Sequence, residues 1–201
     1  MEALRIICVE GNIGAGKSSV LQELLKRGYT VVPEPVETWS HIFPLFVKNP
    51  HRYAFVFQTQ VAASLIQQYQ TAISAYEWGP KDNVVFVERS FTSAGAFVQV
   101  AADNGFMSTA EETTYHNLAA SIGWTPSQYI FIATPLKTCL ERIQKRGRQE
   151  ETGLTLGDLH KIGNAFCALG ITSNAVNGSV TPAEIADKII ASVAQKNDNG
   201  P

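Results

Sequence analysis

The sequence predicts an α/β fold: a five-stranded parallel sheet flanked by helices on both faces. Three observations predict it. Short apolar runs of strand length alternate with segments of helical period along the chain. The 201 residues are 45% hydrophobic and 17% charged, which fills a sizeable core and excludes a disordered chain. No internal repeat and no linker breaks the pattern, so residues 1–201 read as one domain.

The elements follow in order. Residues 6–9 are a short, continuous apolar strand. Residues 17–27 form a helix with Val20, Leu21, Leu24 and Leu25 on one face and Gly28 as its stop. Residues 29–32 are the second strand, ended by Pro33. Residues 53–75 carry Phe57, Val61, Leu65 and Tyr69 at four-residue spacing and form a long helix. Residues 84–87 are a third, fully buried strand. A helix starts near Thr92, and another at Thr109, where Glu112 completes a capping box. Residues 129–133 are the fourth strand. Thr134-Pro135 then opens a helix with Thr at the N-cap and Pro in the first turn, and Thr181-Pro182-Ala183-Glu184 repeats that signal for the last helix. A fifth strand is expected at residues 168–172, and the polar tail from Gln195 is expected to fray.

Charge narrows the function. Sixteen Lys and Arg against 18 Asp and Glu give a net charge of -2. A protein that coats nucleic acid or a membrane surface is usually more basic, so neither is an expected partner; positive clusters here suit a small anionic ligand. No apolar run reaches the length that spans a bilayer. Met1-Glu2-Ala3 leads almost directly into the first strand, which leaves no room for a leader and points to the cytoplasm. Cys8, Cys139 and Cys167 are expected to be reduced core thiols. His41, His51, His116 and His160 show no metal-ligand spacing.

The strongest motif is Gly11-Asn12-Ile13-Gly14-Ala15-Gly16-Lys17-Ser18, a Gly-x-x-x-x-Gly-Lys-Ser run placed after a strand and opening a helix. Its glycines let successive N–H groups converge on one anion, and the helix N-terminus adds partial positive charge. Lys17 reaches the outer phosphates and the Ser18 hydroxyl suits Mg²⁺. This implies a nucleoside triphosphate and leaves the acceptor open.

The acceptor is read from the strand ends. Glu34 follows the second strand between two prolines, where ligands of open α/β sheets bind. A carboxylate there can take the proton of an attacking hydroxyl, whereas it would repel a phosphate acceptor. Glu37 reads as a solvated loop residue. Glu88 ends the third strand and can hold Mg²⁺ directly or through water; Arg89 can bridge the transferring phosphoryl group and the acceptor. Arg142, Lys145, Arg146 and Arg148 cluster near a helix end. They fit either a basic lid over phosphates, residues 146–153, or cations favoured at a helix C-terminus. Gln58 offers a donor and an acceptor to a base edge, with Phe57 and Trp39 as stacking partners or as core.

Together these motifs resemble the deoxyribonucleoside kinase family. The similar segments are Glu10 through Ser19, Pro33-Glu34-Pro35-Val36 with Trp39, Phe55-Val56-Phe57-Gln58-Thr59, Glu88-Arg89-Ser90, and Arg142 through Arg148 with Glu150-Glu151. The resemblance implies a P-loop kinase fold with an Arg-rich lid, a homodimer, and ATP with Mg²⁺. It implies Glu34 as general base with Arg89 beside the same oxygen. Gln58 would read the base, with Trp39, Phe57 and Phe97 around it. Arg142, Arg146 and Arg148 would be lid arginines, and Glu151 would touch the sugar 3′-hydroxyl. The loop at residues 174–178 would hold adenine.

The sequence also departs from the family. Val47 stands where the family usually has a Tyr for the 3′-hydroxyl, with Tyr53 as the nearest substitute. Ala94-Gly95-Ala96 replaces the usual Arg-Tyr segment. Members specific for deoxycytidine carry Arg and Asp where this chain has Leu65 and Ala94. With Val61, these residues make a small apolar lining that has room for a 5-methyl group. The resulting expectation is a deoxynucleoside kinase that prefers pyrimidines and accepts thymidine. The rivals are a thymidylate-type monophosphate kinase and a nucleotide-binding switch.

Overall fold

Strand order dictates where the site lies. The computed structural model describes residues 3–75, 79–122 and 124–198. Five strands, β1 (Arg5–Glu10), β2 (Thr30–Val32), β3 (Val84–Glu88), β4 (Gln128–Ala133) and β5 (Ala175–Asn177), form one sheet in the order β2-β3-β1-β4-β5. All four pairings are parallel, with Ile7 opposite Phe86 on one side of β1 and opposite Gln128 on the other. Parallel neighbours need crossovers, and helices supply them. They are α1 (Lys17–Lys26), α2 (Phe43–Lys48), α3 (Pro50–Ser74), α4 (Phe91–Asp103), α5 (Thr109–Ile122), α6 (Leu136–Arg146), α7 (Leu156–Ala168) and α8 (Pro182–Asp198).

The two-residue period of β1 sorts its side chains. Ile7 and Val9 pack with Val20, Leu21 and Leu24 of α1 and with Ile185 and Ile189 of α8. Ile6 and Cys8 point the other way, onto Ala72 of α3. Both faces are therefore covered, which explains the continuous apolar strands. A further cluster of Trp39, Phe57, Val61, Leu65, Phe91, Val98 and Tyr115 joins α3, α4 and α5.

Several expectations need correction. Residues 168–172 are not a strand. They end α7 and enter a 3₁₀ turn at Ile171–Ser173. Gly170, at φ 69°, makes the left-handed exit that glycine tolerates, and Ile171 drops into the core before the chain reaches β5. α5 is capped one residue earlier than expected: Ser108 accepts from the Glu111 N–H at 3.3 Å, while the Glu111 carboxylate accepts from the Ser108 N–H at 2.8 Å. Thr134 does not cap α6, because its hydroxyl is spent on the Ala15 carbonyl at 2.9 Å. The long helix begins at Pro50, where the Asn49 side chain accepts from the Arg52 N–H. α8 continues to Asp198 instead of ending near residue 194, and residues 199–201 lie outside the described part. Cys8 and Cys139 are buried as expected, but Cys167 is exposed. No helix among the described residues is long and apolar enough to cross a membrane.

Candidate active site

Three adjacent strands deliver three pieces of chemistry side by side. Gly11 follows β1, Arg89 follows β3 and Glu34 lies two residues beyond β2, so the order β2-β3-β1 sets carboxylate, guanidinium and glycine loop in a row at the carboxyl edge. They face a cleft of about 1250 Å³.

The glycine loop is fixed from below. Asn12 Nδ2 donates to the Leu159 carbonyl at 2.7 Å, and Asn12 Oδ1 accepts from the Ile13 N–H at 2.8 Å. Gly14 sits at φ 77°, and a Cβ there would lie 2.4 Å from the Cys139 carbonyl oxygen, so both backbone angle and space require glycine. Lys17 is buried and donates to the Gly11 and Asn12 carbonyls at 3.3 and 3.2 Å. Burial and the nearby Arg89 push its pKa down, against the upward pull of Glu88, Glu34 and Glu10. Ser18 Oγ donates to both Glu88 carboxylate oxygens at 3.2 Å, and Lys17 Nζ is 3.9 Å from Glu88. This hydroxyl and carboxylate are hard oxygen donors beside the loop, a set that fits Mg²⁺.

Glu34 meets Arg89 Nε at 3.0 Å, and its side chain is 15% exposed. Burial pushes its pKa up and Glu88 adds to the rise, while Arg89 and Lys17 oppose it. Its loop is held by a residue that belongs to no motif in the sequence. Gln68 Nε2 donates to the carbonyls of Val32 at 3.3 Å, Pro33 at 3.1 Å and Glu88 at 2.8 Å, lacing β2 to β3 just before Glu34. A glutamine on the buried stripe of a helix, in step with Gln58, Val61 and Leu65, is the signal that could have found it.

Arg142 donates to the Ala15 carbonyl at 3.0 Å. Arg146 Nε donates to Glu151 at 3.2 Å, and Arg148 lies 3.6 Å from the same carboxylate. Glu151 therefore gathers two of the three arginines. All four residues line the cleft, as do Ile13, Gly16, Ser18 and Ser19.

At the other end, Gln58 is buried and its Oε1 has no hydrogen-bond partner. Phe57 stacks on Phe43 and Phe46 at centroid distances of 5.0 and 4.9 Å, and meets Trp39 edge-on at 5.9 Å. Trp39 Nε1 donates to Ser64 Oγ at 2.9 Å. Val61, Ala94 and Phe97 line the cleft, with the Phe97 ring under Arg89 at 4.8 Å. Leu65 does not line it; this residue is fully buried in the α3–α4–α5 cluster. Val47 lines the cleft and Tyr53 does not. Residues 174–178 are taken up by β5 and its turn and do not line the cleft. Phe43 and Phe46 leave no periodic signal in the sequence, because the helix that carries them is too short to show one.

An anion-binding glycine loop at the carboxyl edge of a parallel sheet, facing a carboxylate paired with an arginine, defines a phosphotransferase of the P-loop kinase fold. Comparison with known proteins gives the family: its deoxynucleoside kinase model matches residues 7–198, and the chain belongs to that family. Membership implies ATP as the phosphoryl donor. Deoxyguanosine kinase of Dictyostelium discoideum is 32% identical over 169 residues, covering 81% of this chain and 57% of the relative. Deoxycytidine kinase 2 of Gallus gallus is 29% identical over 191 residues, covering 79% and 71%. Deoxyadenosine kinase from M. mycoides, solved with products dCMP and dCDP bound, superposes with a TM-score of 0.80 at 21% identity, covering 94% of this chain and 99% of that one. That likeness concerns the fold.

Proposed function

We propose that this chain transfers the γ-phosphoryl group of ATP to the 5′-hydroxyl of a pyrimidine deoxynucleoside and accepts thymidine. The observation that carries the reading is the Glu34–Arg89 pair, 3.0 Å apart and in one cleft with Lys17 and Ser18. Glu34 takes the hydroxyl proton as the 5′-oxygen bonds to phosphorus, and the bond between that phosphorus and the bridging oxygen breaks to release ADP. Arg89 stabilises charge on the transferring group and keeps the hydroxyl in line. Ser18 and Glu88 would hold Mg²⁺, which supplies charge neutralisation at the phosphates when bound. Arg142, Arg146 and Arg148 neutralise the phosphates from the lid side. Glu151, close to Arg146 and Arg148, is placed to bind the 3′-hydroxyl by the family resemblance.

Base preference rests on the far end. Gln58 presents an amide whose oxygen has no partner among the described residues, and Val61 and Ala94 give the wall beside it little bulk and no charge. Such a wall admits a 5-methyl group and offers nothing to select a cytosine amino group. The relatives named above carry cytidine, guanosine and adenosine in their names, so family membership does not set the base. The same reading takes the chain as one domain that acts as a cytoplasmic homodimer, supported by the family resemblance and the two buried free thiols.

Steady-state kinetics with thymidine, deoxycytidine, deoxyadenosine, deoxyguanosine and thymidine monophosphate test the proposal. The expected order puts both pyrimidine nucleosides above the purines in kcat/KM. A purine at the top overturns the base assignment. Turnover of the monophosphate alone overturns Glu34 as base toward a hydroxyl.

A further inference from the structure

Glu10 closes β1 immediately before the glycine loop and is completely buried. Its Oε1 accepts from Ser90 Oγ at 2.8 Å and from the Cys8 thiol at 3.1 Å. Its Oε2 has no hydrogen-bond partner and lies 3.8 Å from Arg89 Nη1. A buried acceptor without a donor is costly and uncommon, so its placement asks for a use.

The use is suggested by what surrounds Arg89. Its backbone stands at φ 71°, a left-handed angle that costs a non-glycine residue and persists only where the surroundings enforce it. Its guanidinium lies between two carboxylates: Glu34, at 3.0 Å and open to the cleft, and Glu10, sealed in the interior. Arg89 Nη1 also donates to the Gly11 carbonyl at 3.3 Å, and the group lies over the rings of Phe97 and Phe166 at 4.8 and 5.8 Å. Ser90, next in the chain, ties the assembly to α4: its hydroxyl donates to Glu10 and accepts from the Ser93 N–H at 3.2 Å.

We propose that Glu10 is a positioning residue for phosphoryl transfer: its free oxygen holds the Arg89 guanidinium at the glycine loop when Glu34 leaves it for the substrate hydroxyl. This rests on the roles proposed above for Glu34 and Arg89. A carboxylate locked to an arginine is a weak base, and an arginine whose partner departs inside a protein is a stranded charge. A second, buried carboxylate removes both difficulties. Ser90 and Cys8 occupy Oε1 and so turn Oε2 toward Arg89, which lets the cation shift toward Glu10 without leaving the cleft.

A mutant cycle tests this. Glu10→Gln, close in size and still able to accept from Ser90, should lower kcat by about 10- to 100-fold while the nucleoside KM changes by less than about twofold. The same substitution in an Arg89→Ala background should have no further effect on kcat. An unchanged kcat for Glu10→Gln overturns the proposal, and so does an equal loss in both backgrounds, since Glu10 would then act independently of Arg89. If Glu10→Gln does not yield folded protein, Glu10→Asp takes its place in the cycle, with a smaller loss that also vanishes without Arg89. If it does not vanish, or if there is no loss, the proposal fails. Retention of full activity by Arg89→Ala alone would instead reject the underlying reading of the site.

Discussion

The two ends of the cleft are built on different principles. The phosphate end is held by polar contacts that reach across the chain: Asn12 to Leu159 at 2.7 Å, Thr134 to Ala15 at 2.9 Å, Gln68 to Glu88 at 2.8 Å. Charge is concentrated there, with Lys17, Glu88, Arg89 and Glu34 within one short row. The base end is made of packed rings and small side chains, with one amide oxygen left unpaired. The contrast suits the two tasks proposed for the cleft. A transition state that gathers charge needs dipoles fixed in advance, so the phosphate end tolerates little change. A flat base is recognised by stacking and a few hydrogen bonds, which a few side chains can retune.

The largest effects should fall at the charged end. Glu34→Ala should lower kcat by about 10²- to 10⁴-fold if the carboxylate is the base, with ATP affinity little changed. A near-normal kcat would erase the difference between the two ends, since no other described carboxylate lining the cleft sits against Arg89 at hydrogen-bond distance. The pH profile sharpens the same point. Glu34 must be ionised to accept a proton, and burial raises its pKa above the ordinary carboxylate range. Activity should therefore be full at high pH and fall as pH drops through that raised pKa, so the acid limb of kcat/KM lies above about pH 4.5. In Glu34→Ala that limb should disappear from the residual rate.

The same division decides what could be read from the chain alone. The glycine loop is a local motif whose geometry is contained in eight consecutive residues, and Glu34 and Arg89 are found because strand ends mark themselves by an abrupt change from apolar to charged. β5 carries no apolar run, because its three residues are exposed or half-buried; only pairing with β4, Phe131 opposite Ala175, makes them a strand. α7 carries a capping box, Thr155 with Asp158, but Gly157 and Gly163 interrupt its apolar period and hide the helix in the sequence. Leu65 shares the spacing of Val61, yet it turns into the α4–α5 side of α3, a distinction that depends on neighbours, not on period. Gln68 and Glu10 bond to partners twenty and eighty residues away, contacts that no spacing within the chain reveals.

Gln58→Leu probes the base end with an intermediate effect. The substitution removes a buried oxygen that has no partner, so stability should hold or rise by about 1 kcal/mol, a Tm change of about 2–4 °C for a chain of this size. Base recognition should suffer in the opposite direction. The loss of a buried hydrogen-bonding pair to the base should cut nucleoside kcat/KM by about 10- to 100-fold and leave the ATP KM unchanged. A fall in stability together with unaltered kcat/KM would mean that the amide supports the fold and not the ligand.

Phe46→Leu should have the smallest effect and gives the sharpest comparison. Phe46 stacks on Phe57 at 4.9 Å with the rings 11° from parallel and lines the cleft. Losing one ring-on-ring contact costs about 0.5–1.5 kcal/mol. If that stack only shapes the surface presented to the base, the nucleoside KM should rise by about two- to tenfold while kcat with saturating nucleoside and the ATP KM stay within about twofold. Equal losses in kcat and in both KM values would show that the two ends are mechanically joined through Phe57 and α3. In that case the tolerance of the base end would be bounded by the rigidity of the phosphate end, and retuning the base would carry a penalty in phosphoryl transfer.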